Sequence, residues 1–151
     1  MPPVIIADAS CLILLEKIGA LGLLPQLFGR ITITDIVAEE YGLTLPEWVL
    51  VEAARDDRQL RLLALTLDRG EASAIALALE QANCLLIIDE RKGRQVAQRL
   101  QLTVTGTLGI LIRAKNEGLI AAIKPLLAAI SITNFRLSEQ LVQLVLKQAG
   151  E

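Results

Sequence analysis

The chain has 151 residues, of which 53 % are hydrophobic, with 15 Lys and Arg against 17 Asp and Glu, no His, and a mean hydropathy of +0.51. That length predicts one domain, 1–151, able to bury a continuous core without disulfides or structural metal. The net charge of −2 withholds the global basic signature of many nucleic-acid binders, and the lack of histidine excludes Ser-His-Asp and Cys-His catalysis.

In chain order, VIIA at 4–7 reads as a short buried strand closed by Asp8 and followed by the helical run CLILLEKIGA. Asp8, Glu16 and Lys17 interrupt the apolar stretch from Val4 to Phe28, so it holds no uncharged run of about 18 residues to span a membrane. It also lacks the basic start of a signal peptide. Gly19 and Gly22 break the run, and LGLLPQLF continues as a second short helix. RITIT is a second strand, with Thr34 as N-cap of the helix DIVAEEY. Beyond Gly42 the pattern weakens: Pro46 starts a short helix, PEWVLVEAA, RDDR is a charged turn, and LRLLALTL stays open between strand and helix. GEASAIALALEQ, from Gly70 to Gln81, is apolar almost all round and predicts a fully buried helix. CLLIID is a buried strand ending in Asp89, ERKGRQVAQRLQ an amphipathic helix, LTVTG a strand, and TLGILIRAKNEG a helix ending at Gly118. Two more helical stretches, LIAAIKPLLAAI and SEQLVQLVLKQ, serve packing or dimerisation from about residue 119 onward. Apolar strands alternating with helices predict a three-layer α/β fold, a central parallel sheet flanked by helices.

In open α/β sheets ligands bind beyond the carboxyl ends of the strands, and there the chain places acids. Asp8 follows the first strand and Asp89 with Glu90 the CLLII strand; Glu40 lies near the end of the helix after the second strand, and Glu71 in the first turn of the alanine-rich helix. Carboxylates brought together repel unless protons or a cation neutralise them. Oxygen donors without histidine or thiolate favour Mg²⁺ or Mn²⁺ over zinc or copper, and Cys11 and Cys84, with no CxxC spacing, suit reduced thiols of a cytoplasmic protein. Such a site fits phosphodiester hydrolysis, in which metal activates water and stabilises phosphoryl charge. Arg91, Lys92 and Arg94, just after Asp89, are the best local patch for an RNA backbone. The apolar surplus also points to self-association, a homodimer being the expected form.

The segments ADAS at 7–10, IVAEEY at 36–41, GEASAIALALE at 70–80, LLIIDERKGRQVA at 85–97 and VTGTLGILIRAK at 104–115 together resemble the PIN-domain superfamily, in its small prokaryotic branch. The resemblance runs from Val4 nearly to the C-terminus. It implies a Mg²⁺- or Mn²⁺-dependent ribonuclease of the toxin type, usually dimeric and often held inactive by an antitoxin protein. Its four acids fall on Asp8, Glu40, Glu71 and Asp89; Glu40 is preferred to Glu39 because the hydrophobic-x-x-Glu step matches Val37 to Glu40. Ser10 matches the polar residue after the first acid, and Glu90 is a further ligand or water-holder. Thr105, Gly106 and Thr107 are expected to line the same cleft with backbone and hydroxyls, Ser10, Thr105 and Thr107 joining Arg91, Lys92 and Arg94 as expected contacts to the nucleic acid. The chain departs from the pattern in carrying Glu71 where many members have aspartate, and Cys11 where the branch often has proline.

Each residue also has a plainer reading. Asp8 and Asp89 suit N-caps, Glu71 lies three residues after Asp68 at capping-box spacing, Glu40 suits a solvated helix end, and Arg91, Lys92 and Arg94 suit the wet face of a helix. Two other functions stay open beside the nuclease: a non-catalytic RNA- or partner-binding module, and a small-molecule phosphatase of another α/β family.

Overall fold

The computed structural model describes residues 2–151. Its elements are β1 (Val4–Ala7), α1 (Ala9–Lys17), α2 (Leu23–Phe28), β2 (Ile31–Ile33), α3 (Asp35–Tyr41), β3 (Val49–Val51), α4 (Asp57–Leu63), α5 (Arg69–Leu79), β4 (Cys84–Ile87), α6 (Arg91–Arg99), β5 (Thr103–Thr105), α7 (Thr107–Asn116), α8 (Lys124–Ser131) and α9 (Glu139–Gln148). The strands form one five-stranded sheet in the order β3-β2-β1-β4-β5, every pair parallel.

Both faces of the sheet are covered, as a parallel sheet requires. Side chains alternate along each strand, so Ile5 and Ala7 of β1 and Ile87 of β4 join one core with α1, α2, α3, α7, α8 and α9. Ile6 and Leu86 point the other way and pack with Leu67, Ile75, Leu77 and Ala97, under α5 and α6. The result is the three-layer α/β architecture expected from the strand and helix alternation. No helix among the described residues is long and apolar enough to cross a membrane.

Three expectations need correction. PEWVLVEAA is not a helix: residues 49–51 form β3, an edge strand in register with β2 (Ile31 opposite Val49, Ile33 opposite Val51). Leu50 and Val51 are exposed, so this strand carries little of the burial pattern that reveals a core strand. RDDR is not simply a turn, because Asp56 accepts hydrogen bonds from Arg58 N and Gln59 N and thereby starts α4; the open LRLLALTL segment begins in that helix. LIAAIKPLLAAI is helical only from Lys124, with Pro125 in the first turn where its missing N–H costs nothing.

The chain runs outward from β1 through β2 to β3, then returns to lay β4 on the other side of β1. The junction between β1 and β4 is therefore the topological switch point, where the connections diverge and leave a crevice. Ala7 lies opposite Ile87, and Asp8 N donates to Ile87 O at 2.9 Å. Asp8 and Asp89 thus leave the sheet at the mouth of that crevice.

Candidate metal centre

Asp8 occupies the N-cap position of α1, but its side chain makes no cap hydrogen bond. Ser10 Oγ donates to Asp8 Oδ2 at a long 3.4 Å. Ordinary capping therefore does not use up this buried carboxylate.

Glu40 and Glu71 are brought together through a buried chain of hydroxyls. Ser73 Oγ donates to Gly70 O at 2.7 Å, which leaves it to accept from Thr34 Oγ1, also at 2.7 Å, while Thr34 Oγ1 accepts Val37 N–H at 3.0 Å. The start of α3 is thus tied to the start of α5. One turn on, the exposed Glu40 side chain folds back over Gly70, where any Cβ would collide with its carboxylate. Asp68 caps α5, accepting Glu71 N–H at 2.8 Å, as the capping-box spacing predicts. Glu71 is 96 % buried, since it retains 4 % of its exposure, and its Oε2 has no hydrogen-bond partner.

A cleft of about 440 Å³ gathers Asp8, Ser10, Glu40, Asp68, Glu71, Asp89, Glu90 and Lys92. All four acids expected from the sequence line it, together with Asp68, which the sequence had suggested only as a cap. Burial, reinforced by the charges of Asp68 and Glu40, lifts the Asp8 carboxyl to about 6. Burial and then Asp68 raise Glu40, against the opposing N–H of Gly70. Glu71 is raised by burial first, then by the Asp68 carboxyl within hydrogen-bonding reach, then by the charges of Asp68 and Asp8. Nearby positive charge would reverse each of these shifts.

Asp89 is differently placed. Both its oxygens are engaged by the first residue of α7: Thr107 N donates to Oδ1 at 2.7 Å and Thr107 Oγ1 to Oδ2 at 2.6 Å. It caps a helix, though α7 rather than the helix that follows it in sequence. That role falls to Glu90, whose side chain accepts Lys92 N–H at 3.4 Å. Thr107, expected to face RNA, is fully buried and spent on Asp89. Gly106 is required beside it, because a Cβ there would meet Asp89 Oδ1 and Arg94 Nη1 at 2.7 Å. Thr105 Oγ1 packs against Gly109. Arg91 and Lys92 are exposed, while the half-buried Arg94 donates to Ile88 O at 3.3 Å. Arg91, Arg94 and Thr105 line a second groove of about 590 Å³ that shares Asp89 and Phe135 with the acidic cleft.

The donor set fits a hard divalent ion: oxygen ligands only, with one buried carboxylate oxygen left orphaned. Among the described residues no three His, Cys, Asp or Glu side chains are already gathered into a cation cage. Mg²⁺ keeps several of its waters and is commonly held by one or two carboxylates, so the fit does not need a closed cage. Among curated proteins, none matches this chain. Residues 4–151, nearly the whole chain, match the family described as PIN domain. With its parallel sheet, its acids at the strand ends and that match, the chain belongs to the PIN-domain family.

Proposed function

We propose that this protein is a Mg²⁺- or Mn²⁺-dependent endoribonuclease, the toxin of a toxin–antitoxin pair, working in the cytoplasm as a homodimer. PIN domains are typically nucleases and generally bind divalent metals. The observation that carries the reading in this chain is the buried, unpartnered Oε2 of Glu71 among carboxylates at the switch point of the sheet. A buried polar atom without a partner costs about 1–3 kcal/mol; with carboxylates as its neighbours a proton or a cation would satisfy it, and a divalent ion would neutralise several of these acids at once.

Asp8, Glu40, Glu71 and Asp89 would hold the ion, with Glu90 at the rim as a further ligand or water-holder. A bound divalent ion would supply an activated water and offset charge on the phosphoryl oxygens. The chain's own part is to position the substrate. Lys92 stands at the acidic cleft, Arg91 and Arg94 line the adjoining groove, and the exposed Ser10 lines the cleft beside Asp8. A phosphate backbone laid along the groove would reach the carboxylates at Asp89, which borders both spaces. The antitoxin would act by covering this mouth. Exposed Leu62, Leu65 and Ile132 leave apolar surface for a second copy of the chain, and two buried, free thiols suit a reducing compartment.

The test is to incubate the purified protein with structured and single-stranded RNA in Mg²⁺, Mn²⁺ or EDTA, alongside Asp8→Asn. Metal-dependent cleavage lost in the folded variant supports the nuclease. One observation favours a second reading, a non-catalytic RNA- or partner-binding module: no cation cage is preassembled among the described residues. RNA binding without turnover under any metal condition would select that reading.

A further inference from the structure

We propose that Asp68 belongs to the cation-holding set, its negative charge acting on the bound ion together with Asp8, Glu40 and Glu71, in addition to its part as the N-cap of α5. The inference rests on the metal-site reading above and extends it to a residue that the four-acid pattern omits.

Three observations converge on Asp68. Its carboxylate lines the same cleft as the other four acids. Its Oδ1 is anchored by Glu71 N–H at 2.8 Å, which holds the group rigidly at the positive end of an 11-residue helix. The carboxyl it faces, that of Glu71, is 96 % buried and has the orphaned Oε2. Two carboxyl groups held within reach of each other, one of them shut away from water, need either a shared proton or a cation between them, and a divalent ion would answer Asp8 and Glu40 as well. No Lys or Arg ion-pairs with any of these acids among the described residues.

Asp89 makes the contrast. Each of its two oxygens already accepts one bond, from the Thr107 N–H at 2.7 Å and the Thr107 hydroxyl at 2.6 Å, which fixes the group and leaves it fewer lone pairs for an ion. Asp68 has one oxygen held by the Glu71 N–H, and it stands at the start of α5, two residues before Gly70, over which the Glu40 carboxylate folds, and within hydrogen-bonding reach of the Glu71 carboxyl. Negative charge available to an ion is therefore concentrated at Asp8, Glu40, Asp68 and Glu71, with Asp89 contributing from a fixed position across the mouth.

The two roles of Asp68 can be separated because asparagine and serine cap helices about as well as aspartate but carry no charge. Asp68→Asn and Asp68→Ser are compared with the intact protein by calorimetric titration with Mn²⁺ alone and by metal-free thermal melting. The expected result is an unchanged or higher metal-free Tm in both variants, with Mn²⁺ affinity lowered about tenfold or more, the scale on which outer partners of metal sites act. Mn²⁺ binding equal to that of the intact protein in both variants would overturn the inference and leave Asp68 a cap alone. If the intact protein itself binds no Mn²⁺, the metal-site reading fails and the inference with it, a result distinct from the first because it is seen before any substitution.

Discussion

Gly70, Gly93 and Gly106 each stand where a side chain would press on a candidate acid: Glu40, Glu71 and Asp89 respectively. None of the three needs a positive φ, so their reason is room rather than backbone freedom. Gly70 offers the sharpest test. In the first turn of α5, Gly70→Ala alone would be worth up to about 1 kcal/mol of helix propensity, and the group it displaces is the far end of the flexible Glu40 side chain. Stability by urea denaturation should therefore hold or rise slightly, while Mn²⁺ affinity falls as Glu40 is pushed from the cleft. In a Glu40→Ala background the same substitution should change Mn²⁺ binding no further. Undiminished Mn²⁺ binding in Gly70→Ala would show that Glu40 is not a ligand. The acids at strand ends were legible in the sequence because strand ends are where α/β chemistry collects. The glycines' purpose was not, since each depends on a residue from another element. Asp68 was visible as three residues before Glu71, yet its place in the cleft follows only from where α5 begins.

At the scale of elements, the site depends on α3 and α5 being held in one arrangement by Val37 N, Thr34 Oγ1, Ser73 Oγ and Gly70 O. Thr34 was readable as an N-cap from its position before DIVAEEY; that its hydroxyl also donates across to Ser73 was not, because the partner lies 39 residues away. Ser73→Ala leaves a fully buried hydroxyl proton on Thr34 without its acceptor, and should destabilise the fold by about 1–3 kcal/mol in chemical denaturation. Thr34→Val in that background removes the stranded hydroxyl but also the cap on Val37 N, so the double variant should not recover full stability. A Ser73→Ala protein as stable as the original would mean the hydroxyl chain does not tie the two helices. β3 escaped the sequence reading for a related reason: it is short, lies on the sheet edge and exposes Leu50 and Val51, while the flanking PEW and EAA suggest a helix. The buried strands β1 and β4 had no such competition.

Across the whole molecule, the crevice concentrates acids in a chain of net charge −2, and its metal-free form should feel that concentration in its pH dependence. Burial and then neighbouring carboxylates raise Asp8 to about 6, and raise Glu40 and Glu71 as well. Unfolded carboxyls titrate near about 4, so the folded chain binds these protons more tightly than the unfolded one. Their stabilising contribution is fully present below about pH 4 and is lost as pH rises through the folded values. Metal-free protein should accordingly show a lower urea midpoint at pH 8 than at pH 5 from these groups, with Mn²⁺ restoring the loss at pH 8 and adding little at pH 5. A metal-free midpoint that does not fall over this range would remove the electrostatic strain from the account.

The most direct measurement of the central claim, that this cleft is built around a divalent cation, is a calorimetric Mn²⁺ titration of the intact protein and of Glu71→Gln at neutral pH. The expected result is saturable binding to the intact protein, accompanied by a rise in Tm, and its loss in the folded Glu71→Gln variant, where a neutral amide replaces the orphaned carboxylate. Equal Mn²⁺ binding by the two proteins, or none by either, would contradict it.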